Sequence, residues 1–554
     1  MMGTSEFFSN QNLIIFISLS LANALIMYFS SLKFLLVLQQ SGYHGSRYFK
    51  WINSGKKIYL ARLMLLSMLA FMFFCVLNIC FSSAFNVEVV SFIGLSAYIL
   101  FGTVYIKTES EVNAKVPLRK TRRLVRLCIT YALVLTAFSF GLILLVNYLS
   151  SVIENDIVYL LRYSVLCLTP LLAPILLIVA YAINEPFEEI IRRRYYAITT
   201  KKLDRHDVVK IGITGSYGKT SVKEILKGIL SVKYRVLSTP ASYNTPLGMS
   251  WAVKNLDSTH DVFIAEMGAR AKGDIKELVK IVKPTLGVLT GINNQHLETF
   301  KSLENIKDTK FELFEGLPKE GKGFFSSENE GSVELFERFN GEKVLAGGNG
   351  EKGQTVFASD VQVTSKGTTF VLNVKGEEPV KCSTILLGKH SIDNICLASS
   401  VAKELGLTAE EIALGIGRLQ SVGHRLELIP NNKNIVIIDD SYNANEDGVK
   451  ASMEVLDTFE GRKIVLTPGL VELGKRENQA NFEMGRLLAK HADLVIVIGN
   501  HNAEMLISGL LDGGMGKDKV SFFKTLNKGN EYLNSIVKEG DIVLFENDLP
   551  DNYS

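Results

Sequence analysis

Five stretches of this chain, near residues 13–32, 63–82, 87–106, 127–149 and 158–183, are each long and apolar enough to cross a bilayer as a helix. In hydrocarbon every backbone N–H and C=O must find its partner inside the protein, so helix is the one conformation open to such a run. The first run is not a cleavable signal, because it lacks a basic leading region and no small-residue cleavage site precedes the next run. An α-helical membrane domain over residues 1–200 is therefore predicted. The basic residues after the first run are Lys33, Arg47, Lys50, Lys56, Lys57 and Arg62. Those after the third are Lys107, Lys115, Arg119, Lys120, Arg122, Arg123 and Arg126, whereas 83–86 and 150–157 carry neither Lys nor Arg. Basic loops stay on the cytoplasmic side, which places the N-terminus outside and everything from about residue 200 in the cytosol. Arg192, Arg193 and Arg194 then read as a juxtamembrane anchor on anionic lipid. Pro170 and Pro174 interrupt the fifth run.

The remainder has the mixed composition of a soluble α/β protein, and 554 residues exceed what one core holds. A net charge of +3 gives no polyelectrolyte character and no pointer to nucleic acid. Four of the six cysteines lie in the apolar runs, and none shows metal-site or disulfide-framework spacing.

Residues 208–215, VVKIGITG, read as a buried strand, and 221–230, SVKEILKGIL, as the amphipathic helix after it. Apolar strands at 261–268 and 285–292, separated by a helical segment, continue a parallel-sheet pattern. Residues 341–387 look like a β-ribbon insertion, and a second alternating set begins at 434–445. The junction GITGSYGKTS (212–221) lies between strand and helix, where a phosphate loop belongs. Gly215 and Gly218 free backbone N–H groups to face an anion, and the helix N-terminus adds its partial positive charge. Lys219 has the reach for a terminal phosphate, and the Thr220 hydroxyl suits Mg²⁺.

Spaced as G-x-x-G-x-x-G-K-T, this loop resembles that of the Mur ligases and folylpolyglutamate synthases. ASYNTPLG (241–248), AEMGAR (265–270), INNQHLETFKSLENIKDTKFELF (292–314), GKHSIDN (388–394), GHRLEL (423–428), IIDDSYNANEDG (437–448) and ELGKRENQANFEMG (472–485) extend the resemblance in order, toward the MurF type. It implies a P-loop Mur-ligase central domain over 205–424 and a Rossmann-like C-terminal domain over 425–554. It further implies ATP-dependent amide formation with Mg²⁺ at two sites. Gly215, Ser216, Gly218, Lys219, Thr220, Ser221, Asn394, Arg425 and Asp440 would hold the nucleotide. Thr220 and Glu266 would take one metal, His296 and a carbamylated Lys310 the other. Arg425 would reach the γ-phosphate and Asp440 the ribose. Asn244, Thr245, Asn443 and Asn445 would face the substrates, and Lys219, His296, Lys310 and Arg425 carry the chemistry.

The departures concern substrate. Five apolar runs stand where MurF-type enzymes carry a small domain that grips UDP. Ser326 replaces an adenine-side asparagine, Asn481 a common histidine, and FENDLPDNYS a K-G-S-R-like motif. The resulting expectation is a membrane-anchored ligase joining an amino acid or dipeptide to a carboxylate of an envelope-glycan precursor, lipid-linked in preference to nucleotide-linked, at the cytoplasmic membrane face. Its alternatives are a tethered enzyme adding D-alanyl-D-alanine to UDP-N-acetylmuramoyl-tripeptide, and a membrane scaffold with a degenerate ligase domain. A folylpolyglutamate-type ligase fits less well, given the apolar runs and the YNT sequence.

Overall fold

A computed structural model describes residues 10–43, 45–53, 58–81, 87–110, 118–153, 158, 161–241, 243–294, 297–351, 353–431, 434–442, 444–471 and 473–547. His296, Asn443, the basic residues Lys56, Lys57 and Lys115, and the last seven residues lie outside these. The chain divides into two compact units, Met1–Arg192 and Arg193–Ser554.

The long helices of the first unit are α1 (Asn10–Ser30), α2 (Ile58–Phe81), α3 (Val87–Ser110), α4 (Arg122–Val152) and α5 (Ala173–Arg205), the last running across the unit boundary. Among the described residues, four segments are long and apolar enough to cross a membrane: Leu13–Ser30, Ala61–Phe81, Arg122–Val152 and Ser164–Arg205. The third predicted span contributes a shorter apolar helix, Phe92–Lys107. The fifth opens as a 3₁₀ helix, Ser164–Leu172, and turns α-helical at Ala173. Pro170 has no N–H to give an α-helical ladder, which accounts for the tighter first turns.

Several polar groups inside this unit pair across its helices. The Asn23 amide donates to Ser139 Oγ at 2.9 Å, while its carbonyl oxygen accepts from Tyr98 at 2.8 Å and Thr169 at 3.0 Å. One asparagine thus links α1, α3, α4 and the 3₁₀ segment, the kind of hydrogen bonding that joins helices where apolar burial gives no preference. Arg126 grips Glu188 through both oxygens at 2.6 and 2.8 Å, and Arg123 donates to Glu185 at 3.0 Å. Part of the positive charge from which the sequence reading takes an orientation is therefore held in ion pairs.

The described strands of the second unit form a nine-stranded and a six-stranded sheet. The first contains β1 (Val209–Thr214), β2 (Val236–Ser238), β3 (Val262–Glu266), β4 (Leu286–Leu289), β5 (Lys322–Ser326), β6 (Glu342–Ala346), β7 (Val356–Thr364), β8 (Gly367–Val374) and β9 (Val380–Thr384), in the order β2-β3-β1-β4-β5-β6-β7-β8-β9. Pairing is parallel as far as β7 and antiparallel through β8 and β9, so the expected ribbon continues the main sheet. Helices α6 (Lys219–Leu230), α7 (Pro246–Ala252), α8 (Asp274–Val282), α9 (Leu303–Glu315), α10 (Glu330–Arg338), α11 (Lys389–Glu404) and α12 (Ala409–Gly417) accompany it. Ile225, Leu226 and Ile229 of α6 pack with Ile395 of α11 in one core, and Met249, Leu278 and Leu313 of α7, α8 and α9 in another. Apolar side chains on both faces are why these parallel strands read as continuous hydrophobic runs.

The second sheet contains β10 (Glu427–Leu428), β11 (Val436–Asp440), β12 (Lys463–Thr467), β13 (Leu494–Ile498), β14 (Val520–Phe523) and β15 (Ile542–Glu546), in the order β10-β11-β15-β12-β13-β14. Its helices are α13 (Glu446–Leu456), α14 (Glu477–His491), α15 (Ala503–Asp512) and α16 (Leu526–Ile536). In both sheets the loops beyond the carboxyl ends of parallel strands are the expected location of a ligand site. Phe314 of α9, fully buried and stacked on Phe325 at 4.4 Å, helps hold the helix that carries Lys310. Phe314→Ala should cost about 3–5 kcal/mol, read as a lowered urea midpoint, whereas exposed Leu414→Ala should move it little.

Candidate functional site

The loop between β1 and α6 is fixed by its neighbours as much as by its glycines. Gly215 has φ 151°, and a Cβ there would sit 2.1 Å from Thr290 Oγ1. Gly218 caps α6 at φ 75°, a conformation L side chains rarely take, with Asn394 Oδ1 close against it. Ser216 N donates to Gly291 O at 2.7 Å, and the Thr290 hydroxyl donates to Tyr217 O. Lys219 folds over the loop, its ammonium donating to the carbonyls of Gly215 at 2.7 Å and Ser216 at 3.0 Å. Burial lowers its pKa to about 8, opposed by the Glu266 carboxylate and assisted by Arg425.

Glu266, at the end of β3, is buried and joins three elements. Its Oε2 accepts from Thr220 Oγ1 at 3.0 Å and Lys223 Nζ at 3.1 Å, and its Oε1 from Asn244 Nδ2 at 3.2 Å. Lys223 also donates to Ala241 O, so the same ammonium holds the loop that carries Asn244. Lys223 is the participant missing from the sequence reading. The signal is nevertheless there, since helical spacing puts Lys223 on the face of Leu226 and Leu230, where an unpaired cation has no place.

Lys310 is buried on α9, its ammonium 5.8 Å from the centre of the Phe300 ring. Burial and then Lys219 lower its pKa to about 7, against the raising influence of Asp274 and Glu312. Glu312 is itself engaged, accepting from Gly273 N at 2.7 Å and Lys276 N at 2.9 Å at the start of α8.

The C-terminal sheet reaches the same place through Arg425. His424 and Leu426 flank it with φ 60° and 45°, a strained pair of turns for residues other than glycine. They are tied to β11: His424 Nδ1 lies 2.6 Å from Asp439 Oδ2, and Leu426 N donates to Asp440 Oδ1 at 3.3 Å. The Arg425 guanidinium lies 4.3 Å over the Tyr442 ring and within the fields of Glu266 and Asp440.

Asp440 also accepts from Ser452 Oγ at 2.8 Å and is the strand partner of Glu546, a fully buried carboxyl. Burial first, then Asp440, pushes Glu546 far above the usual carboxyl range.

Other predicted residues are placed as follows. Thr245 caps α7, accepting from Gly248 N at 3.3 Å. Asn445 caps α13, accepting from Asp447 N and Gly448 N at 3.1 Å each, and also from Asn293 Nδ2 at 3.1 Å. It therefore clasps the two sheets' domains together. Ser221 lies in the first turn of α6. Ser326 ends β5, and Asn481 holds the loop after β12 by bonding both backbone groups of Leu470. Beside Asn293, a cavity of about 500 Å³ is lined by Asp447, Lys450, Arg476, Glu483 and Lys490 among others.

Thr220 and Glu266 offer hard oxygen donors suited to Mg²⁺, and the tight cradle at Gly215 and Gly218 suits a phosphate chain.

The Mur ligase middle domain matches residues 213–402, and the Mur ligase glutamate ligase domain matches residues 424–546. Both ranges fall in the second unit. The UDP-N-acetylmuramoyl-tripeptide--D-alanyl-D-alanine ligase of Buchnera aphidicola is 31% identical over 50% of this chain and 59% of its own length. The Bacillus subtilis ligase of the same name is 29% identical over 61% of this chain and 72% of its own. The chain thus spans about three-fifths of the first relative. The MurF ligase of Thermotoga maritima, solved in complex with ADP, superposes with a TM-score of 0.58 at 26% identity, over 64% of this chain and 80% of that one.

Because folding raises the Glu546 pKa well above its unfolded value, the unfolded state binds fewer protons between the two, and stability falls as pH rises above the ordinary Glu range. Glu546→Gln should remove that slope, and its melting temperature should gain on the parent's between pH 5 and 8.

Proposed function

Since this chain belongs to the Mur ligase family, we propose that it is an ATP-dependent amide ligase of the MurF type. It would join D-alanyl-D-alanine to the terminal carboxylate of a UDP-N-acetylmuramoyl-tripeptide. The observation that carries this reading is the convergence on Glu266 of the phosphate loop, through Thr220, and the acceptor loop, through Asn244. The names of the relatives favour this nucleotide-linked acceptor over the lipid-linked one that the apolar helices suggest. The lipid-linked acceptor stands as the second reading, supported by the four apolar segments.

In this reading ATP phosphorylates the acceptor carboxylate, and the amine displaces phosphate to leave an amide. Mg²⁺ at Thr220 and Glu266 would supply charge neutralisation for the transferred group. Lys219 would exchange its loop carbonyls for phosphate oxygens, and Arg425 would add a second cation from the other domain. Lys310, with a pKa near 7, keeps a large neutral fraction at physiological pH. Its free amine could add CO₂ and lose a proton, which turns a cation into an oxygen donor for a second metal with His296. The cavity beside Asn293 would take the dipeptide, with Arg476 and Lys450 facing its carboxylate.

Two outcomes test these assignments in the purified chain. Lys310→Ala should lose about 100-fold or more in kcat, on the scale of removing one electrostatic contact in a transition state, and short carboxylates such as acetate should restore part of it. Arg476→Ala should raise KM for the dipeptide by about tenfold while KM for ATP holds, as expected from losing one charge-assisted bond. Amide product followed by mass spectrometry, with the UDP-linked tripeptide and a lipid-extracted fraction offered in parallel, separates the two acceptors.

A further inference from the structure

We infer that a face of the second unit, built from α7 and the last turns of α5, rests on the headgroup layer of an anionic bilayer. Leu247 and Trp251 stand four residues apart on α7 and are 54% and 56% exposed. On α5, Ile198 is 58% exposed, with Tyr195 one turn before it also exposed. The two segments meet. Lys202, one turn beyond Ile198, donates to the Lys254 carbonyl at 2.8 Å, and the Lys254 ammonium lies 4.4 Å over the Trp251 ring. Single exposed apolar residues are ordinary on a protein surface, but a Trp, a Tyr, a Leu and an Ile exposed on two joined segments form a patch that asks for an occupant.

The chemistry of the patch selects lipid. Indole and phenol rings favour the boundary between headgroup and acyl chain, and long-stemmed cations reach from it to phosphates. Exposed Arg194, with Lys202 and Lys254, gives the patch the sign that anionic headgroups attract. The occupant is also supplied by the chain itself, because α5 belongs to the segment Ser164–Arg205, apolar enough over part of its length to cross a membrane. Thr245 caps α7, so an acceptor loop seated by Asn244 would open next to the headgroups. The inference rests on the membrane reading of the first unit, and it is independent of which acceptor the ligase uses.

The full chain has two tryptophans, Trp51 and Trp251, so the difference in emission between it and its Trp251→Phe variant isolates Trp251. In vesicles of phosphatidylglycerol and phosphatidylcholine brominated near the glycerol end of their acyl chains, Trp251 emission should be lost by quenching. The loss should shrink in pure phosphatidylcholine and with Lys254→Glu. Flotation of the chain with the vesicles reports insertion separately. A chain that floats with Trp251 unquenched overturns the inference and leaves the membrane reading standing. Emission that is blue-shifted yet unquenched assigns the patch to a protein contact and overturns it equally. A chain that does not float removes the membrane reading and the inference with it. Neither readout depends on ligase turnover, so loss of the ligase reading would register only as absent amide product.

Discussion

The buried carboxylate of Glu266 is the interaction on which the second unit's site depends. A carboxylate removed from water is costly unless every oxygen is occupied, and here Thr220, Lys223 and Asn244 occupy them. Each donor comes from a different requirement: Thr220 ends the phosphate loop, Lys223 holds the helix behind it, and Asn244 belongs to the acceptor loop. One charge therefore sets the spacing between the place where phosphate would lie and the place where a carboxylate would wait. The backbone beneath it is fixed too, since Glu266 N donates to Thr239 Oγ1 at 3.0 Å.

Cations are gathered around this anion in excess. Lys219, Lys310 and Arg425 each have their pKa lowered, first by burial, and Lys219 is further depressed by Arg425 and Lys310 by Lys219. Mutual repulsion of this kind is held in place by the fold and is relieved when negative charge arrives. A polyphosphate would supply it, which is the electrostatic sense of a site preorganised for charge that develops elsewhere.

The sheet-forming stretches are legible because burial on both faces leaves uninterrupted runs such as IGIT and VFIAE, and the apolar helices because their runs are long enough to cross a bilayer. Strand β2, three residues long, and β14, half-exposed, carry too little of that pattern to be read. Glycines 215 and 218 were legible because no other residue tolerates their geometry. Lys223 was not singled out, since a lysine on an amphipathic helix reads as solvated until its face is counted. Asn445 reads in the sequence as a substrate-facing residue, and the structure adds that its side chain caps α13 and bonds Asn293, a long-range pairing that no local pattern encodes.

That clasp has a consequence for motion. It joins the two domains through the Asn293 amide, donating to Asn445 at 3.1 Å and toward Asp447 at 3.4 Å. Net hydrogen bonds of this kind are worth about 0.5–1.5 kcal/mol each. Such a latch yields to thermal fluctuation rather than demanding a trigger. The swing of one domain against the other would thus be gated by what lies between them.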